Sequence, residues 1–161
     1  MKTLLTILFT ILPLCSYSST PLEVSMEELV KNSDHLLVGH VIGVDMIDGR
    51  GNEITDLDAM TGPGIDNLIR LIVKVDEVVS SSRSIPSVVK VPLDPLMHYR
   101  FGLVKEVHST EGEKFLLLLK GADLQPPFPG VFRRDLSEKT EIIELLKSNK
   151  SFKGTALRAA P

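Results

Sequence analysis

Four histidines, His35, His40, His98 and His108, are the side chains best suited to bind a metal or move a proton. A histidine metal site needs ring nitrogens converging to about 2.1 Å from one ion. No two of the four stand at i, i+4 on a helix or i, i+2 on a strand, so no local pair forms. His40 stands out because the rest of its strand face is apolar, and an imidazole buried there must find a hydrogen-bond partner. It reads either as a satisfied structural histidine or as a contact for a ligand or partner.

Oxygen donors crowd the acidic 45–66 loop: Asp45, Asp48, Asn52, Glu53, Asp56, Asp58 and Asp66. Calcium takes six to eight oxygens, and an acidic loop can supply several. The EF-hand alternation with glycine in sixth place is missing, and "DGRGNE" reads as a turn. Nucleophile signatures of the GxSxG, SxxK and HExxH kinds do not occur. The serine run Ser80 to Ser82 reads as a linker, and Glu27 with Glu28 as a solvated helix surface. No catalytic residue, cofactor or metal is assigned from these patterns. In "LQPPFPGVF" the prolines pre-extend the chain, so Phe128 and Phe132 could fill pockets on a partner at low entropic cost. Equally, both rings could cover an edge of the protein's own sheet.

Composition narrows the classes. The 161 residues carry a net charge of −3, no tryptophan and a single cysteine, Cys15. An acidic chain without a basic cluster is a poor match for phosphate backbones, so no nucleic-acid partner is expected. The start, "MKTLLTILFTILPLCSYSST", has Lys2, an apolar run from Thr3 to Leu14, and then small residues. That is the layout of a signal peptide, and the run is shorter than the ~20 residues of a spanning helix. Ser16 and Ser18 place cleavage after Ser18. Lipidation of Cys15 is the rival, but Leu14 stands where a small residue is wanted. Cleavage takes the 161 residues to 143 and the charge from −3 to −4, and leaves no thiol. The expected divisions are a signal peptide at 1–18, one domain at 19–150 and a flexible tail at 151–161, with no transmembrane segment in the mature chain and a secreted or periplasmic location.

The elements that must position these residues follow from patterning. "VSMEELVKNSD" predicts a short helix capped by Ser25, with Glu28 completing a capping box and Val24 and Leu29 forming a staple. "HLLVGHVIGVDMID" predicts a strand covered on both sides, with Leu36, Val38, His40, Ile42 and Val44 on one face. Gly49 to Asn67 predicts a long mobile loop. "LIRLIVKVDEVV" alternates cleanly, with Ile69, Leu71, Val73 and Val75 facing one way. "VVKVPL" predicts a short strand that Pro92 stops or confines to an edge. A further strand is expected through Phe101, Leu103 and Lys105. "KFLLLLK" is too short for a membrane helix and, between a turn and Gly121, predicts a buried strand. "DLSEKTEIIELLKSNK" predicts a helix capped by Asp135 with Glu138 as box partner. Leu136, Ile143 and Leu146 form its apolar face, widened by Ile142 and Leu145. Strands separated by turns give a mainly β (α+β) class and a small antiparallel barrel between an N-terminal and a C-terminal helix.

"NSDHLLVGHVIGVD", "LIVKVDEVVSSS" and "GEKFLLLLKG" together resemble the netrin-like, OB-type barrels of tissue inhibitors of metalloproteinases and their exported bacterial relatives, over roughly Ser25 to Gly121. The resemblance implies an OB-like barrel. It does not carry the inhibitory mechanism of the animal proteins, which use a mature N-terminal cysteine to chelate zinc. The expected function is a secreted or periplasmic, non-catalytic domain that binds another exported or envelope protein, inhibitor- or immunity-like. The alternatives are an exported small-molecule or metal-binding protein using His40 and the acidic 45–66 loop, and an unrecognised hydrolytic enzyme.

Overall fold

The computed structural model describes residues 23–110 and 112–148, so the signal peptide expected at 1–18, Cys15 and the tail expected at 151–161 lie outside the described residues. Helix α1 (Met26–Lys31) begins where expected: the Glu28 N–H donates to the Ser25 hydroxyl, 3.1 Å away, and acidic Glu27 and Glu28 occupy its first turn. Val24 packs on the core cluster that holds Leu29, as a staple should.

Five antiparallel strands follow: β1 (His35–Ile47), β2 (Leu68–Ser81), β3 (Val88–Pro92), β4 (Phe115–Leu119) and β5 (Arg133–Arg134). They form one sheet in the order β3-β2-β1-β4-β5. The mainly β class holds, but the sheet is open. β3 and β5 are its edges, and no ladder joins them among the described residues, so the barrel closure expected from the sequence is not formed. Pro92 and Lys90 blunt the β3 edge, as an exposed strand requires.

β1 is central and covered on both faces. Leu37, Val41, Val44 and Met46 enter a core shared with Ile69, Leu71, Val73, Phe115 and Leu117. Leu36 and Val38 enter a second core with Leu116, Leu118 and the helices. Strict alternation fails at Ile42, the extra residue of a bulge between the pairs Val41↔Val73 and Gly43↔Ile72. One added residue reverses every later side chain. Val44 therefore joins the face opposite to Leu36 and Val38, and Ile42 is left 52% exposed. At Gly39 a Cβ would stand 2.6 Å from the Lys74 carbonyl oxygen, so only glycine permits this strand contact. β4 is the buried strand expected, with all five residues inside the protein.

Three expectations need correction. The segment through Phe101, Leu103 and Lys105 is not a strand but helix α2 (Phe101–Val107). Phe101 and Val104, three apart, face the core on one helical side, while Leu103 and Val107 point to solvent. Ser80 and Ser81 are not linker: both belong to β2, and Ser80 is buried. In helix α3 (Lys139–Ser148) the fully buried residue is Ile142, whereas Leu136 sits exposed in the preceding 3₁₀ turn, Leu136–Glu138. Asp135 caps that turn by accepting from the Ser137 N–H at 2.8 Å, and Arg134 engages the Glu138 carboxylate at 2.7 Å.

Candidate binding surface

The chain between β1 and β2 has no regular element, yet it is fastened down. Its first turn is held by Asp48, whose carboxylate accepts from the Arg50 and Asn52 N–H groups; the hydrogen bonds from Asn52, side chain first, lower the Asp48 pKa. The Ile54 N–H then donates to the Met46 carbonyl, which extends β1's edge. Further on, the loop joins the segment before α2. The Gly102, Phe101 and Thr61 N–H groups donate to Leu57, Ala59 and Tyr99 carbonyls at 2.8–2.9 Å. The buried Thr61 hydroxyl donates to the Met97 carbonyl at 2.7 Å. Gly62, at φ 142°, lets the His98 ring approach to 2.5 Å from where a Cβ would stand.

These bonds weld two segments, 54–65 and 94–103, into one ridge with two sides. Ile54, Ala59, Tyr99 and Phe101 pack on the core. Leu57, Met60, Ile65, Leu96, Met97 and Leu103 remain 40–64% exposed. Summed over the six side chains, the exposed apolar area is on the order of 500 Å², the scale of the largest apolar patches on monomers. Burial, then the Asp94 charge, raise the Tyr99 hydroxyl above its ordinary pKa. This surface is not legible in the sequence, because its apolar residues follow no period.

The residues singled out from sequence lie elsewhere. His40 is half-buried, and its Nδ1 pairs with Asp76 at 2.7 Å, with Lys114 3.8 Å from the same carboxylate oxygen. The His40 hydrogen bond is the main cause of the lowered Asp76 pKa. Asp45, five residues along β1 and roughly 16 Å away at strand rise, is gripped instead by Arg70 (Nε and Nη2 both at 2.8 Å) and Lys90 (2.7 Å). Burial pushes the Asp45 carboxyl up, but the Arg70 and Lys90 contacts outweigh it and hold the pKa below the usual carboxylate range. His40 and the acidic loop are thus not brought together. Among the described residues no group of three or more His, Cys, Asp or Glu could hold a metal ion.

Phe132 is 4% exposed inside the loop-side core, and Phe128 packs half-buried against the helix-side core. The proline link that carries them lines a cleft of about 340 Å³ beside the end of β3, with Pro92, Leu93, Pro95, Pro126 and Pro129 on its walls. This cleft lies between the end of β3 and the proline link.

His35, which no sequence pattern favoured, has the fullest set of partners. It is 1% exposed; Nε2 lies 3.0 Å from the Gly121 carbonyl and Nδ1 2.9 Å from the Ser81 hydroxyl. A carbonyl only accepts, so Nε2 carries a proton toward Gly121, while the Ser81 hydroxyl beside Nδ1 also bonds the Arg83 carbonyl. Next to it, Asp34 accepts from the Gly121 N–H at 2.8 Å. Asp34 and His35 therefore clamp both backbone groups of one residue, Gly121, in the turn leaving β4. The three stretches that carry the family resemblance meet at this point, through His35, Ser81 and Gly121.

No helix among the described residues is long and apolar enough to cross a membrane. No protein-family model, curated protein or solved structure matches the chain.

Proposed function

We propose that this chain is an exported, non-catalytic domain that works by binding another exported or envelope protein, as an inhibitor or immunity protein does. The observation that carries the reading is the ridge. Its apolar side chains are held outward by backbone bonds rather than left on a loose loop, so docking costs little ordering entropy. An OB-like build, the one the sequence resemblance implies, would fit that reading. In such barrels the loop between the first two strands is a binding loop, and here that loop supplies half of the ridge. The strand order, with β1 shared by β2 and β4 and a helix between β3 and β4, suits an OB-like barrel whose β3–β5 seam stays open.

The test is photo-cross-linking in the organism's own envelope fraction. A benzophenone side chain replaces Leu96 on the ridge or, as control, the exposed Glu141 on α3. The reading expects one discrete adduct from position 96 alone, competed away by unlabelled chain and absent when Leu57→Ser is added. Identical labelling from both positions, or an adduct indifferent to Leu57→Ser, refutes it.

A further inference from the structure

The charge around the ridge narrows what can cover it, and we infer that its partner is a protein face with an apolar centre ringed by lysine and arginine, such as a basic amphipathic helix. This rests on the ridge being the binding surface. Between Gly51 and Asn67 there are four carboxylates, Glu53, Asp56, Asp58 and Asp66, and no lysine or arginine. All four are exposed, and the half-buried Asp94 joins them from the facing segment. Arg100 is the ridge's own cation, 3.8 Å from Asp58 and itself half exposed. Elsewhere on the sheet the pattern differs: Asp45 is met by Arg70 and Lys90, Glu77 by Lys139, and Asp76 by His40 and Lys114.

Carboxylates in excess of cations beside an apolar patch repel an acidic partner and steer a basic one, raising its association rate at low salt. Asp56 and Asp94 each spend one oxygen on a backbone N–H, from Asp58 and Leu96. That leaves the second oxygen of each for an incoming ammonium or guanidinium. The apolar centre then supplies the desolvated contact, and the acidic rim sets its sign and orientation.

The experiment titrates the isotope-labelled chain with two designed amphipathic helices, one of leucine and lysine and one of leucine and glutamate, and follows amide shifts. The lysine peptide should move the amides of Leu57, Met60, Met97 and Leu103, at least tenfold more tightly than the glutamate peptide and more weakly as salt rises. Both Asp56→Asn/Asp58→Asn/Asp66→Asn and Leu57→Ser/Met97→Ser should weaken it at least fivefold. If the two peptides bind alike, or the asparagine variant binds the lysine peptide unchanged, the basic-partner inference fails while the ridge stands as the surface. If neither peptide moves the ridge amides, both fail.

Discussion

Replacing His35 with alanine should destabilise the protein far more than replacing His40. The His35 ring joins the start of β1, the end of β2 and the turn after β4 through two hydrogen bonds. Each contributes about 1 kcal/mol net. The Gly121 carbonyl lies in an exposed turn and Ser81 keeps its bonds to Arg83, so neither becomes a buried orphan. Losing the packed ring adds a cavity cost, and the total is about 3 kcal/mol. With a urea m value of about 1.5 kcal/mol/M, the midpoint should fall by about 2 M. His40 forms a partly exposed pair at the surface that water screens, so its alanine variant should unfold closer to the parent. The assay is equilibrium urea unfolding of the parent, His35→Ala, His40→Ala, Ser81→Ala and His35→Ala/Ser81→Ala. The double variant should cost less than the sum of the singles, because both remove one shared bond. A His35→Ala midpoint within about 0.3 M of the parent, or equal costs for both histidines, would refute the clamp.

Other outcomes follow from the same geometry. Gly39→Ala should cost about 1–3 kcal/mol, because its Cβ would meet the Lys74 carbonyl and a Val73 methyl, and thermal unfolding reads the loss. Asp45 is held below its ordinary pKa in the fold. The unfolded chain therefore binds its proton first as pH falls, and the stability from Asp45 is full above about pH 4 and lost below it. Asp45→Asn should flatten stability against pH below about 4, as acid titration of the urea midpoint would show. A charge at Leu117 or Leu118 should prevent folding, since the two side chains enter opposite cores; soluble, cooperatively folding Leu117→Asp and Leu118→Asp would overturn the central position of β4. Mass spectrometry of the exported chain should find Ser19 at the N-terminus, and a lipid on Cys15 would replace that reading.

The strands were legible because burial on a pleated sheet writes itself as alternation, or as an unbroken apolar run where both faces are covered. Ile69, Leu71 and Val73 show the first, and Phe115 to Leu119 the second. The bulge at Ile42 was not legible. A one-residue insertion leaves no mark beyond nearby glycines, yet it decides which core receives Val44. Helix α2 was missed because Phe101, Leu103 and Lys105 fit a strand as well as Phe101 and Val104 fit a short helix. Its packing on Leu57, where a Gly102 Cβ would lie 2.9 Å from the carbonyl oxygen, is a tertiary contact that no local pattern records.

The same physics explains why His40 stands out in the sequence and His35 does not. Alternation placed His40 on an apolar face, but that face runs out of covering helix beyond Val38, so the ring meets Asp76 and water instead. His35 opens its strand beside polar Asp34, and only the return of the chain at Ser81 and Gly121 encloses it. The ridge repeats this at larger scale. Leu57 and Met60 look like scattered apolar residues in an acidic loop until bonds to residues some forty positions later set Ala59 inward and leave them out. Burial along an irregular segment follows its long-range backbone partners, so an aperiodic loop that carries several large apolar residues is better read as one half of a surface awaiting its other half than as a tether.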